Sequence, residues 1–246
     1  MNRFHTFVSL SIVALSAQSV CAHMDFIPGI SNNQVVTSGR DDLTNEFVES
    51  LIVNGYDFGE VEGDPYNIGD PGFNTGGPSA FSTGSTLRLA GLAVDGRFLS
   101  YWNGAGDPSF GSPAAGTSLV ISGSPTRFVT FTESSISYAP TSPASLLIGT
   151  FSTGGSLHSH VSSSLLLNNL QEPDSIPVGA YLLSFSLSNP STGVMDSDSL
   201  FVVYNNGLDE SVHDAAIDFV SATYVPEPTM LMVALAALPL LARRRS

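Results

Sequence analysis

Four side chains in this 246-residue sequence have the types and spacing to hold a metal ion: His23, Asp25, His158 and His160. Cleavage after Ala22 would make His23 the first residue, so that its α-amine and imidazole chelate one ion together. An α-amine titrates at about 7.7–8, so metal displaces its proton easily near neutrality. Asp25 stands two residues on and, in a strand, points to the same side as His23. His158 and His160 repeat that i, i+2 relation, and Leu157, Val161 and Leu165 take the opposite face, leaving both imidazoles off the apolar side. Neutral imidazole with carboxylate suits zinc or copper, with calcium third. The competing reading is two solvated strand histidines and a His23 that merely follows the cut.

The chain ends decide whether His23 is ever a terminus. Arg3 gives a positive start, Phe4 to Ala17 an apolar stretch, and Val20-Cys21-Ala22 the small residues before a cleavage site, so 1–22 reads as a signal peptide. Residues 225–246 begin with Pro226-Glu227-Pro228, continue through an apolar run from Thr229 to Ala242, and stop at Arg243, Arg244 and Arg245. Linker, membrane segment and cytoplasmic arginines in that order place the bulk of the chain across the membrane. Fourteen residues span about 21 Å as a helix, short of the roughly 30 Å hydrocarbon layer, which suits a temporary hold better than a permanent anchor.

That tail resembles the PEP-CTERM sorting signal of bacterial exported proteins. The resemblance implies processing by an exosortase near Pro226-Glu227-Pro228, with signal peptidase acting at the other end. The segment from Gly179 to Ile217, with Asp70-Pro71-Gly72-Phe73, Trp102-Asn103-Gly104 and His158-Ser159-His160, is similar to a planctomycete-type group of such proteins that has no assigned activity. An amino-terminal histidine with a second histidine also resembles the copper brace of oxidative polysaccharide enzymes.

Composition narrows the partners. Lysine is absent, and between the two terminal segments only Arg40, Arg88, Arg97 and Arg127 oppose nearly all of the 22 acidic residues. Such a surface repels phosphate backbones and anionic lipid, which excludes nucleic acid as a partner, and favours cations or solubility. Schiff-base chemistry and lysine-bearing phosphate loops are excluded as well. Once Cys21 is removed the chain has no thiol, so no disulfide holds it together.

Residues 23–224 form the one domain. Short apolar runs separated by Gly, Pro, Asn, Asp and Ser predict strands joined by turns: 24–27, 35–37, a pair within 46–58, 87–94 and 97–102 as a hairpin about Asp95-Gly96, 118–121, 127–132, 145–151, 157–167 and 200–204. Residues 59–77 read as one long loop. Tyr181, Leu183, Phe185 and Leu187 alternate with smaller residues, predicting a half-buried strand, and 209–217 predicts a short helix on which His213 is an exposed partner of Asp209. The fold class expected is all-β, an antiparallel β-sandwich or jelly roll with one short helix, preceded by the signal peptide and followed by the transmembrane sorting helix.

Other groups suggest weaker chemistry. Glu60, Glu62, Asp64, Asp70, Asp196 and Asp198 offer oxygen to calcium without EF-hand spacing, and Tyr56, Tyr66, Phe73, Tyr101 and Trp102 could make a sugar-stacking platform. No Gly-x-Ser-x-Gly elbow occurs. The function expected is a non-enzymatic surface or extracellular-matrix protein, held at the inner membrane and then released or attached outside, in contact with polysaccharide and cations. The alternatives are a copper oxidoreductase acting outside the cell and a carbohydrate-binding module.

Overall fold

The computed structural model describes residues 24–41, 47–59, 64–140, 144–170, 175–191 and 193–225. The expected signal peptide, His23 and everything from Pro226 onward, including the membrane segment and the arginine cluster, lie outside the described residues. Strands β1 Met24–Ser31, β2 Gln34–Asp41, β3 Phe47–Val48, β4 Val53–Asp57, β5 Asn67–Ile68, β6 Gly72–Asn74, β7 Thr86–Leu92 and β8 Ser100–Trp102 come first in chain order. They are followed by β9 Thr117–Ser124, β10 Arg127–Phe131, β11 Ile136–Ala139, β12 Leu146–Thr150, β13 His158–His160, β14 Ser162–Leu167, β15 Gly179–Ser188, β16 Leu200–Asn206 and the helix α1 Glu210–Tyr224.

The protein is mostly β with a single α-helix among the described residues, consistent with an all-β sandwich. Three sheets run β13-β6-β1-β2-β3, β11-β10-β9-β14-β5 and β12-β7-β15-β16-β4, with β8 also paired to β15. One apolar core draws on all three: Phe26 and Phe73 from the first, Leu119, Phe131 and Leu165 from the second, Leu89, Phe185 and Tyr204 from the third. A second core lies between the far face of the third sheet and α1, joining Leu182, Phe201 and Val203 to Ala216, Ile217 and Val220.

That second layer corrects the reading of β15. Ser184 and Ser186 are 1% and 7% exposed, so the strand is buried on both faces rather than one. Two pairings also depart from the antiparallel expectation, because β1 runs parallel to β6 and β16 parallel to β4. The hairpin about Asp95-Gly96 shrinks to a turn with one bridge, Val94 to Arg97, since β7 and β8 both pair with β15 instead. Asp95 and Gly96 do take positive φ of 50° and 79°, as a type I′ turn requires. The expected strand at 157–167 is cut at Val161 into β13 and β14, which belong to different sheets. Within the expected loop at 59–77, β5 and β6 pair with β14 and with β1 and β13. The helix extends to Tyr224, and no helix among the described residues is long and apolar enough to cross a membrane.

His213 is not an exposed partner of Asp209. It is 1% exposed; its Nε2 donates to the Val203 carbonyl at 3.0 Å, and its Nδ1 lies 3.3 Å from the Asp57 carboxylate. Gly55 makes this possible, because a Cβ there would collide with Ile217 and lie 3.0 Å from the His213 ring. Replacing His213 by Ala removes the ring and both polar contacts, and is expected to lower unfolding free energy by about 2–4 kcal/mol, measured by urea denaturation.

Burial also raises several phenols above their ordinary value of 10.0: Tyr56 and Tyr204 strongly, Tyr181 likewise. Desolvation is the largest cause in each, and the Asp70, Tyr204 and Asp25 charges add to it at Tyr56. The native state therefore keeps these protons to higher pH than the unfolded chain, so the stability they contribute is present below about pH 10 and lost above it. With no lysine, phenols are the side chains that titrate in this window. The melting temperature is expected to fall progressively as pH rises above about 10, with absorbance at about 295 nm showing phenolate formation together with unfolding rather than before it.

Candidate metal centre

Strand pairing, not sequence proximity, builds this site. Phe26 of β1 lies beside Phe73 of β6 in parallel register, so the preceding residues, Asp25 and Gly72, are neighbours on the other face. On the far side of β6, Gly72 pairs with His160 of β13 and Asn74 with His158. One row across the sheet therefore reads His160, Gly72, Asp25 and then Arg40, which pairs with Asp25 from β2 and is exposed. His160 and Asp25 stand two strands apart, about 9–10 Å between backbones, and only side chains bending over β6 can meet.

Gly72 is what allows that meeting. A Cβ built on it would collide with the Asp25 carboxylate and lie 2.9 Å from Cε1 of His160. Into the same space comes Asp70, whose Oδ1 is 3.6 Å from Nδ1 of His160. One ligand atom from each of Asp25, Asp70 and His160 lies within 4.8 Å of the others. The burial is graded: Asp25 is 8% exposed, while the side chains of Asp70 and His160 are 25% and 45% exposed, so the group opens to solvent on one side.

The Asp70 backbone is held from beneath. Ser163 donates from Oγ to the Asp70 carbonyl at 2.6 Å, and Tyr204, 2.8 Å from that Oγ, donates to it in turn. On the β1 side, Tyr56 donates to the Met24 carbonyl at 2.8 Å, and Asn54 reaches the same carbonyl at 2.5 Å. Two carboxylate oxygens and one imidazole nitrogen are a donor set for zinc or another divalent cation of intermediate hardness, with one face left for water or a further ligand. In a tetrahedral zinc site ligand atoms stand roughly 3.4 Å apart, so donors lying within 4.8 Å of one another need to close by up to about 1.4 Å.

Of the four residues singled out from sequence, Asp25 and His160 are brought together here. His158 is exposed on the same edge strand with its ring centroid 5.0 Å from that of His160, and His23 lies outside the described residues. Asp70 enters in its place. In the sequence it belonged to a diffuse set of acids, 45 residues from Asp25 and 90 from His160, and no spacing rule joins such positions. The other acids scatter: Asp64 accepts from Asn67 at 3.1 Å and Asp198 from Gln34 at 3.1 Å, while Glu60 and Glu62 are outside the described residues. The aromatic platform does not form. Tyr56, Tyr66, Phe73 and Trp102 are 1%, 8%, 0% and 5% exposed and belong to the core.

The chain matches no protein-family model, no curated protein and no solved structure. Gly72→Ala is expected to push the Asp25 carboxylate off the row, weakening zinc binding at least tenfold while costing about 1–3 kcal/mol of stability, as read by paired calorimetric titration and thermal melts.

Proposed function

We propose that the chain is an exported β-sandwich protein of the cell surface or extracellular matrix, processed at both ends, whose sheet carries a divalent-cation site. The observation that carries the cation reading is the convergence of Asp25, Asp70 and His160 over a glycine that any side chain would fill. Zinc is the first choice of ion. Two oxygens and one nitrogen fit it better than copper, which favours nitrogen-rich sets, and the imidazole argues against calcium. His158 is the described side chain placed to complete a four-ligand set, and a free amino terminus at His23 would add a further chelate.

The site's role is to hold structure or to bridge to anionic polymer rather than to catalyse. The buried Tyr56 hydroxyl beside it donates to the Met24 carbonyl and has its proton retained by burial and by the charges of Asp70, Tyr204 and Asp25. Export and processing are supported by the order of parts in 1–22 and 225–246 and by their resemblance to a sorting signal. The acidic, thiol-free composition of the stretch between them agrees with that address.

Calorimetry on the mature chain tests the proposal. Zinc is expected to bind with a dissociation constant of about micromolar or tighter, and Asp70→Asn and His160→Ala are each expected to weaken it at least tenfold. Acidification is expected to weaken it too, because both ligand types bind deprotonated. Failure of zinc, manganese and calcium alike to bind at about 100 μM would overturn the cation reading. Mass spectrometry of the exported protein should find His23 first and the last residue close to Pro226-Glu227-Pro228; an uncut chain would overturn the address.

A further inference from the structure

Where the chain leaves the second sheet after β11 and enters the third at β12, a cleft of about 230 Å³ opens. Arg88 of β7, Arg127 of β10 and Ser145 give it polar groups, and Ala139, Pro140 and Leu147 give it apolar ones. Leu87 and Leu89 are fully buried in the core, so alternation turns Arg88 to the opposite face, beside its cross-strand neighbour Leu147. Nη1 of Arg88 donates to the Ser145 carbonyl at 3.2 Å and to its hydroxyl at 3.3 Å, which fixes the guanidinium.

A bulge stands beside each arginine. The register of β10 on β9 shifts between Arg127 and Phe128, and that of β12 on β7 between Leu147 and Gly149. Bulges re-aim side chains and commonly border sites. Gly123, the extra residue of β9, comes so near β12 that a Cβ on it would lie 2.9 Å from the Leu147 carbonyl oxygen. The second and third sheets therefore meet backbone to backbone next to the cleft.

Charge makes this more than a dent in the surface. Between the terminal segments four arginines face nearly all of the 22 acidic residues, so an arginine without a carboxylate is the exception. Arg97 has Glu133 at 3.6 Å, and Arg40 has Asp25 as its cross-strand neighbour. The other two, Arg88 and Arg127, line one cleft, and among the described residues no carboxylate lines it with them. Nε and Nη2 of Arg88 and the whole Arg127 guanidinium have no hydrogen-bond or ionic partner among the described residues. Two guanidiniums with unused donors offer the planar fork that oxyanions accept.

The cleft is smaller than the usual range for a whole small molecule, so it takes one group of a larger ligand. Ala139, Pro140 and Leu147 suit a ligand whose charge is carried on a ring with an apolar face. The acid excess elsewhere repels a densely charged polyanion. A single charge between two guanidiniums gains more at contact than it loses at long range through salt.

We propose that Arg88 and Arg127 clamp the single oxyanion of an acidic sugar unit, carboxylate or sulfate ester, in an extracellular polysaccharide. The clamp shares no residue with the cation site and needs no metal. Saturation-transfer NMR on the intact chain, in buffer freed of metal by chelating resin, tests it. The probes are methyl glucuronide and glucose 6-sulfate at about 10 mM, with methyl glucoside as the neutral control.

At least one of the two anions is expected to bind with a dissociation constant of about 1 mM or tighter, and the one that responds names the group. Arg127→Gln and Arg88→Lys are each expected to weaken it about tenfold or more, the first by removing a charge, the second by replacing a fork with a point charge. Thermal melts of Arg127→Gln should match the parent, since this side chain has no partner to lose among the described residues. Arg97→Gln should leave binding unchanged, which separates the clamp from a general loss of positive charge. The proposal is overturned by transfer from neither anion, by the glucoside binding equally well, by binding unchanged in both cleft variants, or by an equal loss in Arg97→Gln. Binding that requires added zinc, or that Asp70→Asn abolishes, also overturns it and moves the ligand to the cation site; failure of zinc to bind leaves the clamp standing.

Discussion

The parallel register of β1 and β6 is the constraint on which the candidate cation site depends. Phe26 and Phe73 are both fully buried and stack with ring centroids 5.7 Å apart, so the core dictates how the two strands align. Because side chains alternate, a slip of one residue would turn Phe26 outward and Asp25 into the core, a loss on both counts. The apolar contact thus sets the position of the carboxylate on the opposite face. Gly72 then follows from the same register: it is the residue of β6 caught between Asp25 and His160, and only hydrogen fits there.

The third sheet is the scaffold behind this arrangement. Its central strands, β15 and β16, are covered on one side by the other two sheets and on the other by α1. Tyr204 of β16 belongs to the first core and still extends its hydroxyl to Ser163, which holds the Asp70 backbone. The same strand offers the Val203 carbonyl to His213 on its other face. One strand therefore ties the site, the core and the helix together. Packing and polar positioning are here properties of the same few residues.

Local patterns in the sequence showed which segments are strands, and most of the stretches read from alternation and turn residues are strands within a few positions. What stayed hidden was which strand pairs with which. Nothing in 157–167 marks Val161 as the point where one sheet ends and another begins, since its apolar parity continues through both. Burial of Ser184 and Ser186 was hidden for a related reason: small hydroxyl side chains suit a solvent face and a helix-covered face equally. At the site, Asp25 and His160 stood out through residue type, and Asp70 did not, because a parallel crossover leaves no periodic trace. His213 looked like a surface helix residue until Gly55, over 150 positions earlier, was seen to leave room for its ring.

The parallel pairing of β4 with β16 bears on how the chain comes to be folded at all. Residues 53–57 lie at one margin of the third sheet, and their neighbour there is the strand at 200–206, so loop closure across nearly the whole domain must precede that contact. A polypeptide emerging amino terminus first cannot finish its central layer until almost its last described element is out. Such a topology leaves residues 53–57 without their sheet neighbour, and the third sheet without its margin, until the strand at 200–206 has been made.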